Sequence, residues 1–539
     1  MSTAVSYPGI YVQELPLSTQ TISPAPTSIT AFVGYTHPWK TSAFNTAVQL
    51  FSFTDYQTYF GGLYSSLILT SDVARAVYAF FLNGGNNAYV VGLQPSAQGG
   101  TPLQAFGTQA GQIAPVGTIT QANIGIQLNG LEPTDYVTMT ATVTNLRQKS
   151  GSSDYTIFDL VITYGTRVEV YRGVDVTIAK GQPKSLDSLI NGISSLVTVQ
   201  PSSGTSYGTK FASGTAPAPV PIQWTLPVGF SGTFAAGDFL IGPSGSVPVF
   251  QENSSLDNVE IFNLLLVPGV ADNNILSAAL SFAERKRAFA IIDAPANATA
   301  FQIPGSLMPP IDSFMSPNPT IPLSQNGALY FPYLNTTDPI SGQPWAVAPG
   351  GFVAGIYAAT DASRGVWKAP AGIATSLLGT TGPVSTGLMN DMQQGVLNLD
   401  SINCLRSFAG TGTVVYGART LVAKDTAFAQ SKYVPVRRMT LFIEQTLVAN
   451  LKWVVFEPND EPLWLAIKSS IEAFLLALFN QQALQGSTPS EAFQVKCDST
   501  TTTAADQQLG IVNIVVAVAL LKPAEFVVIT ISQLAGQTA

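Results

Sequence analysis

Hydrophobic and polar positions alternate from near the start of the chain. In YPGIYVQEL (7–15), Ile10 and Val12 alternate with Tyr11 and Gln13 between Pro8 and Pro16, the period of a strand. The run PLSTQTISPAPTS that follows is rich in Pro, Ser and Thr and predicts an extended linker over 16–28. TSITAFVGYT (27–36) then reads as a buried strand, Val73–Leu82 as a helix, and AYVVGL (88–93), after Gly84-Gly85, as a second strand. This is α/β grammar.

The period changes near residue 101. YVTMTATVT (136–144) sets Val137, Met139, Ala141 and Val143 against four threonines, and YTIFDLVITY and RVEVYRGVDVTI meet across Gly165-Thr166, a two-residue hairpin turn. Residues 101–255 therefore read as a mostly antiparallel β domain with a helix near 186–195. At 256 the α/β pattern returns with VEIFNLLLVPG, the amphipathic ILSAALSFAERKRA and FAIIDAP, which makes the β domain an insertion. Residues 303–345 hold nine prolines and read as a long ordered loop.

Two helices follow. VPVRRMTLFIEQTLVANL places Val436, Met439, Ile443 and Leu447 on one face, and EPLWLAIKSSIEAFLLALFNQQALQG opens on Pro462 and closes on Gly486. AFQVKC (492–497), IVNIVVAVAL (511–520) and EFVVITISQL (525–534) read as strands, the last set off by Pro523. The expected division is an N-terminal strand arm and linker (1–26), α/β body (27–100), inserted β domain (101–255), second body segment with its loop (256–345), C-terminal domain (346–521) and C-terminal strand arm (522–539).

Composition changes the picture in one respect. The 539 residues are 46% hydrophobic but only 10% charged, against about 25% in an ordinary globular domain. Such a surface suits a protein covered largely by copies of itself, or equally a β-rich monomer with a Thr/Ser surface. The net charge of −8 argues against general affinity for nucleic acid or anionic membrane. Residues 401–539 carry ten basic and ten acidic side chains, so the whole deficit lies in 1–400, and 419–438 holds Arg419, Lys424, Lys432, Arg437 and Arg438 against Asp425 alone. Cys404 and Cys497 set no disulfide framework and are expected as buried free thiols. No apolar run reaches the roughly 20 residues needed to span a bilayer, the best being Ile511–Leu521 before Lys522-Pro523. A soluble, cytoplasmic product is expected.

No catalytic constellation emerges. His37 is the only histidine, GTSYG (204–208) resembles a nucleophile elbow but has no preceding strand, and GTGTVVYG (410–417) lacks the third glycine of a dinucleotide fingerprint. There is no P-loop, and no metal or cofactor site is expected.

The C-terminal third resembles the contractile tail-sheath family of phages and phage-like injection machines. The resemblance is carried by PGGFVAGIYAATDASRGVWKAPAG (349–372), DSINCLRSF (400–408), VVYGARTL (414–421), YVPVRRMTLFIEQTL (433–447), VVFEPNDEPLWLAIKSSIEAFL (454–475), QALQGSTPSEAFQVKCD (482–498) and PAEFVV (523–528). YPGIYVQEL and FTDYQTYFGG (53–62) agree with it at the N-terminal end. It implies a non-enzymatic structural subunit that stacks as hexameric rings around an inner tube. Contraction, triggered at a baseplate, drives that tube through a target envelope. It also implies strand arms exchanged between subunits. Gly9, Ile10, Tyr11, Val12, Gln13, Glu14 and Leu15 would be one arm, and Phe526, Val527, Val528, Ile529, Thr530 and Ile531 the other. Phe493, Val495, Cys497, Ile511, Asn513, Val515 and Ala517 would belong to the receiving sheet, with hinges at 16–28 and 521–524. The fold class is then an α/β (α+β) sheath body with an inserted, outward-facing β domain. The implied partners are further copies of the chain, the inner tube, the baseplate and a terminator or cap protein, without nucleic acid or membrane insertion. Arg437, Arg438, Lys468 and Glu472 are candidate tube contacts. The implied location is the bacterial cytoplasm during assembly and then a phage tail or injection particle. The alternative reading is a non-contractile adhesive or carbohydrate-binding protein acting through the β domain, with Tyr155, Tyr164 and Tyr171 as candidate site residues.

Overall fold

The computed structural model describes residues 21–37, 40–64, 71–95, 116–121, 123–131, 138–223, 235–242, 247–315, 320–338 and 342–530. In chain order the first part of the body comprises β1 (Thr30–Tyr35), β2 (Ala47–Leu50), α1 (Phe53–Phe60), α2 (Val73–Leu82) and β3 (Ala88–Leu93). The chain then leaves this body for β4 (Val116–Gln121), β5 (Ile124–Gly130), β6 (Met139–Gln148), β7 (Tyr155–Tyr164), β8 (Arg167–Asp175), α3 (Leu186–Ile190), β9 (Val197–Pro201) and β10 (Val220–Ile222). It returns through α4 (Ala236–Leu240), β11 (Leu264–Leu266), α5 (Asn273–Arg285), β12 (Phe289–Asp293) and β13 (Gly327–Phe331). Next come β14 (Leu334–Thr337), β15 (Pro344–Val347), α6 (Gly350–Arg364), β16 (Gly382–Pro383), α7 (Asp391–Leu399), β17 (Ile402–Phe408) and β18 (Gly412–Val415).

Eight strands form one sheet in the order β18-β17-β13-β12-β11-β1-β3-β2. From β3 to β17 all neighbours are parallel, and only the outer strands β2 and β18 run antiparallel. Parallel strands covered on both faces read as unbroken apolar runs, which is why TAFVGY, LLL, FAIID and GALYF are buried throughout. Ala31, Val33 and Tyr35 pack with α5 on one face, while Phe32 packs with α2 and α6 on the other. Gly351 and Gly355 let α6 lie close on α2: a Cβ at either position would sit 2.3 Å from Ala76 O or 2.8 Å from Phe80 O.

The excursion between β3 and β11 has its own core. β10-β6-β7-β8 and β4-β5-β9 form two antiparallel sheets joined by the Val116–Gln223 bridge, enclosing Ile126, Leu128, Phe158, Leu160, Ile162 and Val174. On the opposite side, Glu169 of β8 accepts hydrogen bonds from Ser194 Oγ (2.5 Å), Ser195 N (2.9 Å) and Ser195 Oγ (2.8 Å), just before β9. Tyr155, Tyr164 and Tyr171 pack against this core.

Several expectations need correction. GALYF, read as part of a proline-rich loop, is the strand β13 inside the sheet; a five-residue buried run among nine prolines shows no period to recognise. The helices α6 and α7 were not anticipated. The sheet takes β17 and β18 from beyond the expected boundary at 345. Residues assigned to the β domain up to 255 belong in part to the body: Phe239, Val249 and Phe250 lie in the α5-side core, and Tyr35 donates to Asp238 Oδ2 at 2.6 Å.

The last module contains α8 (Val434–Asn450), α9 (Glu461–Asn480), β19 (Phe493–Lys496) and β20 (Val515–Val518). Its core joins Met439, Phe442 and Ile443 of α8 to Ile467, Ile471, Phe474 and Leu475 of α9. Contrary to the expectation that no such run exists, α9 is long and apolar enough to cross a membrane by length and composition. Its apolar stripe is nevertheless packed in this core, and Lys468 and Glu472 pair beside it at 3.9 Å.

Candidate assembly site

β19 and β20 form an isolated antiparallel ribbon, with Phe493 opposite Val518, Gln494 opposite Ala517, Val495 opposite Val516 and Lys496 opposite Val515. Pleating sends Phe493, Val495, Val516 and Val518 toward the α8–α9 core. Gln494, Lys496, Val515 and Ala517 face solvent. Cys497 is buried, as is Cys404 of β17, and neither is in a disulfide. The regular pairing is shorter than expected. Ile511 and Asn513 lie in the approach to β20, where Asn513 N donates to Thr502 Oγ1 at 3.0 Å, and beyond β20 Leu520 bridges to Leu484.

The edges follow from the ladder. Ala519 N donates to Ala492 O at 2.8 Å, so by the alternation of antiparallel pairing the residues of its parity, Val515 and Ala517, turn their backbone groups toward β19. Val516 and Val518 then turn theirs outward, where no strand pairs with them among the described residues. This is an open edge beside a packed face.

The C-terminal arm leaves the body close by. Phe526, Val527, Val528 and Ile529 lie outside any strand and are 75–88% exposed. Its root is fixed at Glu525. Arg419 donates through Nε to Oε1 (2.8 Å) and through Nη2 to Oε2 (2.7 Å), a fork of charge-assisted bonds, while its Nη1 donates to Asn398 O at 2.7 Å. Tyr433 OH adds a bond to Oε2 at 3.2 Å. Burial raises the Glu525 pKa, but these hydrogen bonds and the Arg419 charge outweigh it and hold the carboxyl below its usual range. Sequence reading placed a hinge at 521–524 and missed this clasp. The available signal was a lone acid after Pro523 facing a cation-rich stretch at 419–438.

Residues 22–27 are likewise fastened, not free as a linker. Ser23 exchanges hydrogen bonds with Asn450, Ala25 N donates to Thr446 Oγ1 at 3.1 Å, and Arg438 Nη2 donates to Thr27 O at 2.9 Å. The arm residues Gly9, Ile10, Tyr11, Val12, Gln13, Glu14 and Leu15, and Ile531 of the other arm, lie outside the described residues.

Arg437 and Arg438 both find acceptors within the chain, Arg438 buried and Arg437 half-buried. Arg438 and Asp361, each 3% exposed, pair at 2.6 Å with the guanidinium over the Tyr357 ring. Arg437 donates to Asn326 Oδ1 at 2.9 Å and faces Glu444. Their position at a helix N-terminus is explained by these internal acceptors.

The places suspected of chemistry are structural. His37 is buried at the end of β1, and its Nδ1 accepts from Lys40 N. Tyr207 of GTSYG donates to Asp187 Oδ1, and GTGTVV forms the β17–β18 hairpin. Two carboxyls interact beside the sheet, Asp293, buried at the end of β12, and Asp72, half-buried at the start of α2. Asp293 accepts from Gly269 N (3.0 Å) and Gly350 N (2.6 Å), which ties β12 to the start of α6. Burial, and then the neighbouring Asp72, push it up to about 7, while burial pushes Asp72 to about 6.

Two family models match the sequence: the phage tail sheath protein central domain over residues 253–421 and the phage tail sheath C-terminal domain over 425–533. The tail sheath protein of Vibrio phage KVP40 is 31% identical over 150 residues, covering 28% of this chain and 21% of its own. That of Salmonella phage ViI is 27% identical over 160 residues, covering 30% and 24%. The chain thus spans about a fifth to a quarter of the length of these curated relatives. Among solved structures, the anti-feeding prophage helical sheath in the contracted state aligns over 98% of this chain and 100% of its own, with TM-score 0.57 and 20% identity. The PVC sheath complex of an extracellular contractile injection system, also contracted, aligns over 99% of both chains, with TM-score 0.56 and 20% identity. At that identity the likeness concerns the mixed α/β fold with its several sheets.

Proposed function

The chain belongs to the phage tail sheath family, and from that premise we propose that it polymerises as stacked hexameric rings around an inner tube and contracts to drive that tube through a target envelope. The observation that carries this reading is that one chain carries both an open β20 edge and an exposed, unpaired Phe526–Ile529 segment. Strand addition uses such parts: backbone hydrogen bonds give affinity and alternate side chains fix register. The arm of one copy adds to the ribbon of another, and the N-terminal residues 9–15 add similarly. A bare edge that would otherwise invite aggregation becomes a joint. Each subunit gives and receives, so individually weak joints build a continuous mesh.

The fastened residues 22–27 and the Glu525 clasp support pivots upstream of 22, within the outer part of the 16–28 linker, and downstream of 525, beyond 521–524. The subunit bodies then move as rigid units during contraction. The β domain faces outward in this arrangement. Its packed tyrosines favour a structural role over the adhesive alternative. Toward the tube, the outward face of α9 offers Leu465, Ser469, Ala473 and Ala477 with the Lys468–Glu472 pair at its flank, which supports a largely uncharged contact. Baseplate and terminator or cap proteins complete the set of partners. Assembly takes place in the bacterial cytoplasm, before incorporation into a tail or injection particle.

The test is Val528→Pro. Val528 is exposed, so the subunit should melt as the wild type does, while proline in the added strand removes backbone pairing. Sedimentation and negative-stain images should show wild-type hollow striated cylinders and unassembled variant. Cylinders of normal length from the variant would refute strand addition through this arm.

A further inference from the structure

The loop between α8 and α9 holds two apolar side chains out in solvent. Val455 is 62% exposed and Phe456 is fully exposed, with the Phe456 backbone at φ +74°. L-residues avoid this left-handed region, bulky ones most of all. The other non-glycine residues found there are Asn45, Asn145, Lys184, Asn253, Arg287, Ser401 and Gln482, all of them polar. At position 456 glycine would fit the backbone better and a polar side chain would fit the solvent better. Neither the loop nor the core calls for phenylalanine.

The loop is held firmly. Val454 N donates to Leu451 O (3.1 Å) and Glu457 N to Val454 O (3.2 Å), and Trp464 Nε1 donates to Asn459 Oδ1 (2.9 Å). Asn459 Nδ2 in turn donates to Ile511 O (3.0 Å), and Gln507 Nε2 to Asn459 O (3.2 Å). These last two bonds bolt the loop to the approach of β20, where Leu509 and Ile511 are also exposed. Four residues beyond Ile511 the open-edged strand begins with exposed Val515. Exposed apolar side chains thus stand on the strained loop, on the segment bonded to it and at the start of the free-edged strand.

We propose that Phe456, with Val455, Leu509 and Ile511, forms a docking patch for a second copy of this chain, the copy whose arm adds to β20. The proposal rests on the strand-addition reading above. Continuity with the β20 edge selects this occupant, and so does its chemistry. Residues 526–539 contain no charged side chain, so the arm can cover an apolar patch without desolvating a charge. An aromatic anchor on an over-determined loop loses little conformational freedom on docking, the behaviour of an interface hot spot.

Phe456→Gly in the full chain separates the strain of the loop from its use. The unassembled variant should melt at or above the wild-type temperature, because the backbone is relieved and no packed side chain is lost. The concentration at which cylinders form should rise on the order of tenfold or more. Leu509→Ser, on a separate segment, should raise it in the same direction. Assembly of both variants at the wild-type concentration would overturn the patch while leaving strand addition intact. Normal self-assembly combined with lost co-sedimentation on an inner-tube protein would overturn it in favour of another partner. Failure of the wild-type chain to polymerise at all would overturn the reading on which the patch rests.

Discussion

Glu525→Gln tests whether the C-terminal arm has a fixed root. The wild-type carboxylate takes three hydrogen bonds from Arg419 and Tyr433, each worth about 1.5–3 kcal/mol because a charge is involved. Ordering residues 521–525 costs about 1–2 kcal/mol per residue, so the two sums nearly cancel and the clasp decides whether the root is docked. Glutamine keeps the shape but sets an amide N–H₂ against one guanidinium N–H, so Arg419, 5% exposed, keeps one neutral acceptor there besides Asn398 O. A loss of about 2–4 kcal/mol follows, below the full cost of breaking a wholly buried pair because Glu525 is 15% exposed. The assay is urea denaturation of Glu525→Gln, Arg419→Gln and the double variant. A coupling energy of about 2–3 kcal/mol is expected from the cycle. Because the Glu525 pKa is depressed, the advantage of wild type is present above the ordinary carboxylate range and disappears as pH falls through the folded value. A coupling below about 0.5 kcal/mol at pH 7 would mean that the clasp does not form, and the pivot of the arm would return to 521–524.

The two carboxyls whose pKa is raised predict the opposite slope. Asp293 and Asp72 bind protons more tightly folded than unfolded, so between about pH 4 and 7 they make the body less stable as pH rises. Asp293→Asn should flatten that part of a stability-versus-pH curve, and an unchanged slope would remove these groups as its source. Replacing residues 116–223 by a short linker should leave the thermal melt of the body in place, because that segment has a core of its own. Extending the excision to 256 should destabilise the body through loss of Phe239, Val249 and Phe250; equal melts for the two deletions would refute this boundary.

Legibility followed the kind of signal each element sends. Val73–Leu82 and Ala88–Leu93 could be bounded from the sequence because a Gly-Gly turn separates a helical period from an apolar run. β13 could not, since a strand buried on both faces has no alternation and proline-rich neighbours suggest a loop. α6 was obscured by the very glycines that let it approach α2. At the candidate site, 493–496 and 515–518 could be read as strands, while their pairing came from the family resemblance and not from either run alone. The internal pairing of Arg437 and Arg438 was not legible, because their partners Asn326 and Asp361 are brought to them only by the fold.

The fastening of residues 22–27 to α8 has a consequence for the order in which a subunit is made. Ile29 meets Asn263 across 234 residues of chain, and Ser23 meets Asn450 across 427. Synthesis runs from the N-terminal side at about 5–20 residues per second, so this segment waits roughly twenty seconds to over a minute for its anchor to leave the ribosome. Under the strand-addition proposal, the first arm has until then no fixed origin from which to reach a ribbon. A nascent or truncated chain therefore cannot present the paired geometry of a finished subunit. In the proposed assembly, competence to join a growing polymer would then arrive late, as a property of the folded C-terminal module, which would keep unfinished copies out of it.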